Sequence, residues 1–579
     1  LLNGLVCLAV LNSILERTTK TGLFWAGCTV LAVYALLLGT SPGAAQPADT
    51  ILLNGKVVTL DQQSSLVQAL AIRDDKIIAT GASADIAKHA GVKTRVIDLN
   101  GRTVIPGLID SHIHAIRAGL KFSIEVSWIG ARSIAEAMER IRVAAIYARP
   151  GTWIVVGGGW TPAQFAEGRR PTQAELAAAA PDHPVYIQLF YRAVLLTPLG
   201  LKAFGIAGEA DLPATGKLEN GDDAGWISGD SSAITSLYAR LPSPAINEGI
   251  EGTRRFLHEL NRFGITGVFD PGGHNLAPEE YEALFRLWRS DKLTVRIAYS
   301  ICAPRDGSEL VDLQALTRFL PMGVGDGMLR FNGVGERVTW GMYNNDTPTE
   351  AQKEDFYRVA RWAAERGMAL TAHWNNDRSV RHLLDVLERV DREISIRGLR
   401  WSVAHLHDAS DASLMRMKAL GVGWLMQNGL YFAASSFLAA RGPAINRAPP
   451  IRTALRLGLN IGGGTDANRV MSYNPFVSLK WMTDGRTVDG MTTRAASELV
   501  SREEALRFYT KGSAWFTFDD DSRGTLEPGR LADLAVLDKD YLTVPADELG
   551  SLSALLTIVG GKIVYTADPF ADLGPDWTK

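Results

Sequence analysis

Residues 103–114 read Thr-Val-Ile-Pro-Gly-Leu-Ile-Asp-Ser-His-Ile-His, and the reading of the fold starts there. The β-branched and apolar residues of 103–109 predict a strand. Asp110 and Ser111 end it, and His112 and His114 follow, separated by one residue. Alternate residues of an extended segment point the same way, so the two imidazoles can face one ion. Taken alone, Asp110 would merely cap a turn, and each His would be an ordinary polar residue.

The pattern of a short apolar run ending in a polar group recurs along the chain. Runs at 369–373 and 400–405 end in His373 and His405, and the Gly-rich run at 460–464 is followed by Asp466. Further runs lie at 267–270, 294–301, 329–333 and 423–427. Amphipathic stretches such as 350–366, 379–390 and 413–420 separate them. Eight strands interleaved with helices predict an α/β fold, a (β/α)8 TIM-like barrel over residues 106–519. In such a barrel the chemistry sits at the C-terminal ends of the strands, where these His and Asp residues fall. The span from about 115 to 264 is too long for one helix and predicts a large insertion after the first barrel strand, a lid or substrate-shaping subdomain. Residues 49–105 and 520–579 are both strand-turn-strand in pattern. They predict one small β-sandwich domain built from the two ends of the chain.

Composition narrows the class. The chain has 579 residues, 46% apolar and 21% charged, with a net charge of -3. These are globular values and exclude wholesale disorder or a fibrous chain. A near-neutral chain without a basic run has no footprint for nucleic acid, so a small-molecule substrate is expected. Residues 22–39 carry no charge, Arg17 and Lys20 precede them, and Ser41-Pro42-Gly43-Ala44-Ala45 follows. Residues 1–48 therefore read as a secretory signal cleaved near Ala45, giving a periplasmic or secreted protein. The alternative is a retained anchor and membrane association, since 18 apolar residues can span a bilayer. Of the three Cys (Cys7, Cys28 and Cys302), only Cys302 would survive cleavage, which leaves no disulfide and no Cys-based zinc site.

Imidazoles and a carboxylate suit zinc, and also iron, cobalt or manganese. Among the other His residues, His407 is an open alternative to His405. His274, after Asp270-Pro271-Gly272-Gly273, is a candidate for substrate contact. His89, His183, His258 and His382 read as surface or packing residues. Of the 14 Trp residues, Trp128, Trp160, Trp226, Trp340 and Trp374 suggest an aromatic-walled cleft, against the commoner outcome of core packing.

At these residues the chain resembles the amidohydrolase superfamily. Residues 106–114 are similar to its opening metal motif. Residues 524–538 (GTLEPGRLADLAVLD) and 559–565 (VGGKIVY) resemble the returning strands of its small β domain. The closest resemblance is to the branch that includes N-substituted formamide deformylases. His-Trp-Asn-Asn-Asp-Arg-Ser-Val from His373 is similar to that branch's His-Ala-Ile-Gly-Asp-Arg-Ala-Val, and 462–475 resembles its Gly-Ser-Asp segment followed by Pro.

The resemblance implies a divalent-metal hydrolase holding one or two ions, zinc foremost. His112, His114, His373 and Asp466 would be ligands. His405 would stabilise an oxyanion beside one ion or become a ligand beside two. Asp466 would shuttle the proton of a metal-activated water to the leaving nitrogen of an amide, carbamate or cyclic amide.

There are departures from the family pattern. Gly335 stands where the branch places a bridging Lys, leaving its neighbour Glu336 as a bridging carboxylate or a surface charge. Ala404 replaces a Glu, and Arg192 replaces a His after the 185–188 strand. Arg192, Trp374 and His274 are the substrate-contact candidates. An ester or lactone hydrolase uses the same site. A deaminase would want Glu rather than Asn376 three residues past His373. A non-catalytic binding protein would not be expected to keep the full ligand set.

Overall fold

The computed structural model describes residues 46–272 and 276–576. The leader expectation and His274 lie outside them, apart from residues 46–48. Among the described residues no helix is long and apolar enough to cross a membrane.

Eight parallel strands carry the centre: β1 (Leu108–Asp110), β2 (Ile265–Asp270), β3 (Arg296–Ile301), β4 (Leu329–Val334), β5 (Thr371–Trp374), β6 (Ser402–His405), β7 (Gly423–Gln427) and β8 (Ile461–Gly464). The first four pair in chain order in one sheet and the last four in another. A parallel bridge between Val334 and Leu370 joins β4 to β5. At the other seam the Ser111 N–H donates to the Gly463 carbonyl at 3.0 Å. The strands thus follow one another round a ring, the arrangement of a TIM barrel. They are buried on both faces, which is why they read as continuous apolar runs. Helices pack outside them, among them Glu350–Glu365, Asp377–Glu393 and Asp411–Leu420. Thr349 and Ser410 cap the first and last of these by accepting from Gln352 and Ser413 N–H groups. Buried Phe356, Leu383, Leu387 and Met417 meet Val403 and Trp424 in one apolar core.

The expected single strand over 103–109 is two strands. Thr103–Pro106 pairs antiparallel with Leu534–Leu537, Val104 opposite Val536, and parallel with Lys56–Val58, so it belongs to the β domain. Only Leu108–Asp110 enters the barrel. The break is Gly107, where a Cβ would stand 2.3 Å from Thr266 Oγ1, so the chain crosses between the two units where no side chain fits. Composition is the same on either side and hides the break.

The β domain stacks a four-stranded sheet of N-terminal strands on a six-stranded sheet that combines strands from both chain ends. Leu52, Leu70 and Ile72 share a core with Val57, Leu534, Val536 and Leu556. The Arg296 guanidinium of β3 reaches into this domain and donates to both Asp533 oxygens at 2.8 and 3.0 Å.

Between helices α1 (Ala115–Lys121) and α2 (Ile246–Arg262) lies a separate five-stranded sheet with its own helices. Trp128, Trp160 and Trp226 are fully buried and pack as its core; they wall no cleft. Trp374 likewise corrects the substrate-contact expectation. It is fully buried in the barrel core, and its Nε1 donates to Ser379 Oγ at 3.1 Å. Alternation along β5 turns it away from the side taken by His373.

Candidate metal centre

The strand ends bring six candidate side chains to one point. The Glu336 carboxylate lies at the middle. Its oxygens are 3.3 Å from His112 Nε2, 3.5 Å from His114 Nε2, 3.1 Å from His373 Nδ1 and 3.4 Å from His405 Nε2. Asp466 Oδ1 lies 3.3 Å from His114 Nε2 and 3.7 Å from His112 Nε2, and its Oδ2 is 3.9 Å from His405 Nδ1. These atoms form three overlapping groups with ligand-like spacing: His112, His114 and Glu336; His112, His405 and Asp466; Glu336, His373 and His405. Of the two readings of Glu336, a surface charge is excluded, because the residue is 3% exposed.

Backbone hydrogen bonds interlock the first and last motifs. The Asp466 N–H donates to the His112 carbonyl at 2.7 Å, and the His114 N–H donates to the Ala467 carbonyl at 3.0 Å. Asp110 does more than cap a turn. Its Oδ1 accepts from the His112 and Thr465 N–H groups, and its Oδ2 accepts from Thr465 Oγ1 at 2.6 Å. Burial pushes its carboxyl up to about 7. His405 and Asp466 sit at φ 70° and 57°, a left-handed conformation that costs roughly 1–3 kcal/mol per residue and persists only where the surroundings over-determine it. Gln427 supplies part of that restraint by accepting from the His405 N–H at 2.9 Å, and Trp424 Nε1 donates to the His405 carbonyl at 2.9 Å.

The protonation states suit a cation. Burial, helped by the nearby Arg117 charge, lowers His114 to about 4. Burial and then neighbouring His373 lower His405. Burial also acts against protonation of His112, but Glu336, Asp466 and Asp110 outweigh it and raise that ring. For Asp466 burial alone would raise the carboxyl, yet the imidazoles of His114, His405 and His112 hold it down near 2. His114 and His405, which resist protonation, beside the ionised Asp466 form a donor set for a borderline divalent ion.

His112, His114, His405 and Glu336 side chains are at most 3% exposed, whereas His373 keeps 15% and Asp466 11%. Solvent therefore reaches the cluster from the His373–Asp466 side. His407 stays outside the cluster, half-buried, its desolvation lowering it to about 3 and its ring 6.1 Å from His405. Arg192 is exposed on a turn of the inserted unit and reaches Ser436 Oγ at 3.4 Å. Ala404 packs with Phe269, Ala298, Leu425 and Phe516 in an apolar plug inside the barrel.

Three residues at the site went unread in the sequence. The Tyr343 hydroxyl is 3.3 Å from His373 Nδ1; Asn375 Nδ2 is 3.2 Å from His373 Nε2. Asp270 Oδ1 is 4.0 Å from His114 Nδ1 and its Oδ2 accepts from the Ile116 N–H. Asp270 ends β2 as His405 ends β6, and that repetition was a signal. Tyr343 sits in an irregular loop, where no periodicity points to it.

A TIM barrel with buried imidazoles and carboxylates at its strand ends defines a metal-dependent hydrolase. A family model for the amidohydrolase family matches residues 95–565, and the chain belongs to that family. Its relatives include the protein LONG AFTER FAR-RED 3 of Arabidopsis thaliana, 25% identical over 567 residues and covering 92% of this chain and 94% of the relative. The N-substituted formamide deformylase of Arthrobacter pascens is 24% identical over 547 residues, 90% of this chain and 99% of that enzyme. The crystal structure of an uncharacterized metal-dependent hydrolase from Pyrococcus horikoshii OT3 superposes with a TM-score of 0.61 at 21% identity, covering 86% of this chain and 99% of the other. That last likeness concerns the fold alone.

Proposed function

We propose that the protein hydrolyses a non-peptide carbon–nitrogen bond of a small organic molecule, an amide, carbamate or cyclic amide, at a centre for two divalent ions, zinc being the first fit. The observation that carries this reading is the place of Glu336, within 3.5 Å of four imidazoles. Glu336 is shared by two of the three ligand-like groups, one with His112 and His114 and one with His373 and His405. His405 is thereby read as a ligand rather than an independent oxyanion donor.

When bound, the metal supplies Lewis acidity and acidifies a water near neutral pH. The protein's own groups do the rest. Asp466, ionised and partly accessible, takes the proton of the attacking water and returns it to the leaving nitrogen. The Tyr343 phenol, held well above its ordinary value by burial first and then by the charges of Glu336 and Asp466, stays protonated. It can donate to the carbonyl oxygen as that oxygen gains charge. Asn376, in the position where a deaminase would want Glu, commits its amide to Asp346 Oδ1 at 3.0 Å.

The test is amine release from N-substituted formamides, N-acyl amino acids, carbamates and cyclic amides, run beside matched esters, before and after chelation. Metal-dependent amine release is expected. Turnover confined to esters, or turnover indifferent to chelation, overturns the reading. Residues 1–48 are proposed to direct export, which N-terminal sequencing from the native host tests; a mature chain beginning before Gly22 contradicts it.

A further inference from the structure

A cavity of about 770 Å³ opens between α1, α2, the inserted helix Ser231–Ala239 and the turn Pro278–Tyr281. One side of it is cationic: Arg117 and Lys121 of α1, and Arg469 three residues past Asp466. The rest combines apolar walls, Leu241 and Ile246 among them, with Glu279, Glu280 and Glu282.

Arg117 is the unusual member. It is 4% exposed, and none of its three guanidinium nitrogens makes a hydrogen bond to the described residues. It feels the charges of Asp466 and Asp270 but forms an ion pair with neither. A guanidinium carries five donors in a fixed fork; the charges of Asp466 and Asp270 help outweigh burial and keep it protonated, but they leave that fork without a hydrogen-bond acceptor.

The other two cations stand on the same side of the cavity, with Glu125 and Glu280 acting on Lys121. The Lys121 ammonium lies 4.6 Å and the Arg469 guanidinium 3.6 Å from the centre of the same Tyr238 ring. Burial, and then the charge of Arg469, push Lys121 down to about 8. The acids nearby are engaged or peripheral. Glu125 accepts from Asn468 Nδ2 at 2.6 Å, Glu280 accepts from the Ala277 N–H, and Glu282 pairs with Arg286. Glu279 is exposed at the rim. The inserted unit is held against this corner by backbone. Gly158 (φ 148°) lies so near Arg469 that a Cβ there would stand 1.9 Å from its carbonyl oxygen.

We infer that the substrate is an organic acid with an apolar body, an amide carrying a free carboxylate, and that the carboxylate seats on Arg117 with Lys121 and Arg469 beside it. The guanidinium fork matches a planar carboxylate, and the apolar walls favour an organic anion over an inorganic one. The inference deepens the hydrolase reading and rests on it for the word substrate; the binding site itself does not.

The test is calorimetric titration of the purified chain with 4-phenylbutyrate, 4-phenylbutyramide and inorganic phosphate, with the metal centre stripped by chelation and again after reloading. The acid should bind in both states, and the amide and phosphate at least tenfold more weakly. Arg117→Met should lose tenfold or more in affinity for the acid, as expected for a charge-assisted bond, with its melting curve read on the same sample to show that it folds. Lys121→Met, at a partly exposed position, should weaken the acid severalfold and serves if the first variant does not fold. Equal affinity for acid and amide, phosphate binding as tightly as the acid, binding abolished by chelation, or both variants binding as the wild type would each overturn the site. Failure of the hydrolase reading shows separately, as acid binding without metal-dependent amine release.

Discussion

Glu336→Gln keeps the shape of the central side chain and removes its charge. That carboxylate has a nitrogen of four imidazoles within 3.5 Å, so any cation they hold lies close to it. Two unit charges about 4 Å apart in an effective dielectric of about 20 interact by about 4 kcal/mol. A dication doubles that, and the amide oxygen, still a donor, recovers a part. A net loss of about 4 kcal/mol for each ion is expected, about a thousandfold in affinity. Equilibrium dialysis against buffered zinc, followed by elemental analysis, measures it. The variant should remain folded but carry at most one ion under conditions that saturate the wild type. A Gln variant that keeps both ions with affinity within tenfold of the wild type would refute the central place given to Glu336.

Asp466→Asn should lower turnover by about 100-fold or more while metal and fold largely persist, the range for lost acid-base catalysis; rate and metal content are read on one sample, and near-normal turnover removes Asp466 from the proton path. Asp533→Ala strands the buried Arg296 guanidinium, which now donates to both Asp533 oxygens, and should cost about 3–5 kcal/mol in denaturant unfolding. Glu125 is held at about 7, chiefly by burial, above its ordinary 4.5, so its contribution to stability is fullest below pH 4.5 and is lost as pH rises through 7. Glu125→Gln should therefore gain on the wild type between pH 5 and pH 8 by up to about 3 kcal/mol; melts across that range that stay parallel would contradict the shift.

The strand-end residues were legible because a two-residue period and a terminal polar group leave a plain signature. His112, His114, His373, His405 and Asp466 all meet where that pattern put them. The shared sheet of the β domain was legible from its two ends for the same reason. Glu336 stayed ambiguous because it lies two residues beyond β4, past Gly335, where the pleat no longer fixes direction. Trp374 was misread because its neighbour His373 faces the site while it faces the core. Arg117 was invisible: one basic residue on a helix reads as solvated, and its burial near Tyr191 and Tyr238 of the inserted unit and Asp270 and Asp466 of the barrel exists only in the fold. The break at Gly107 was hidden because both fragments are apolar.

The most direct measurement is anomalous diffraction at the zinc edge from crystals of the protein prepared without chelator, with elemental analysis of the same sample. The account predicts two ions per chain, one in the group of His112, His114 and Glu336 and the other in the group of Glu336, His373 and His405. A fully active sample with a single peak away from Glu336, or with no bound metal, would contradict it.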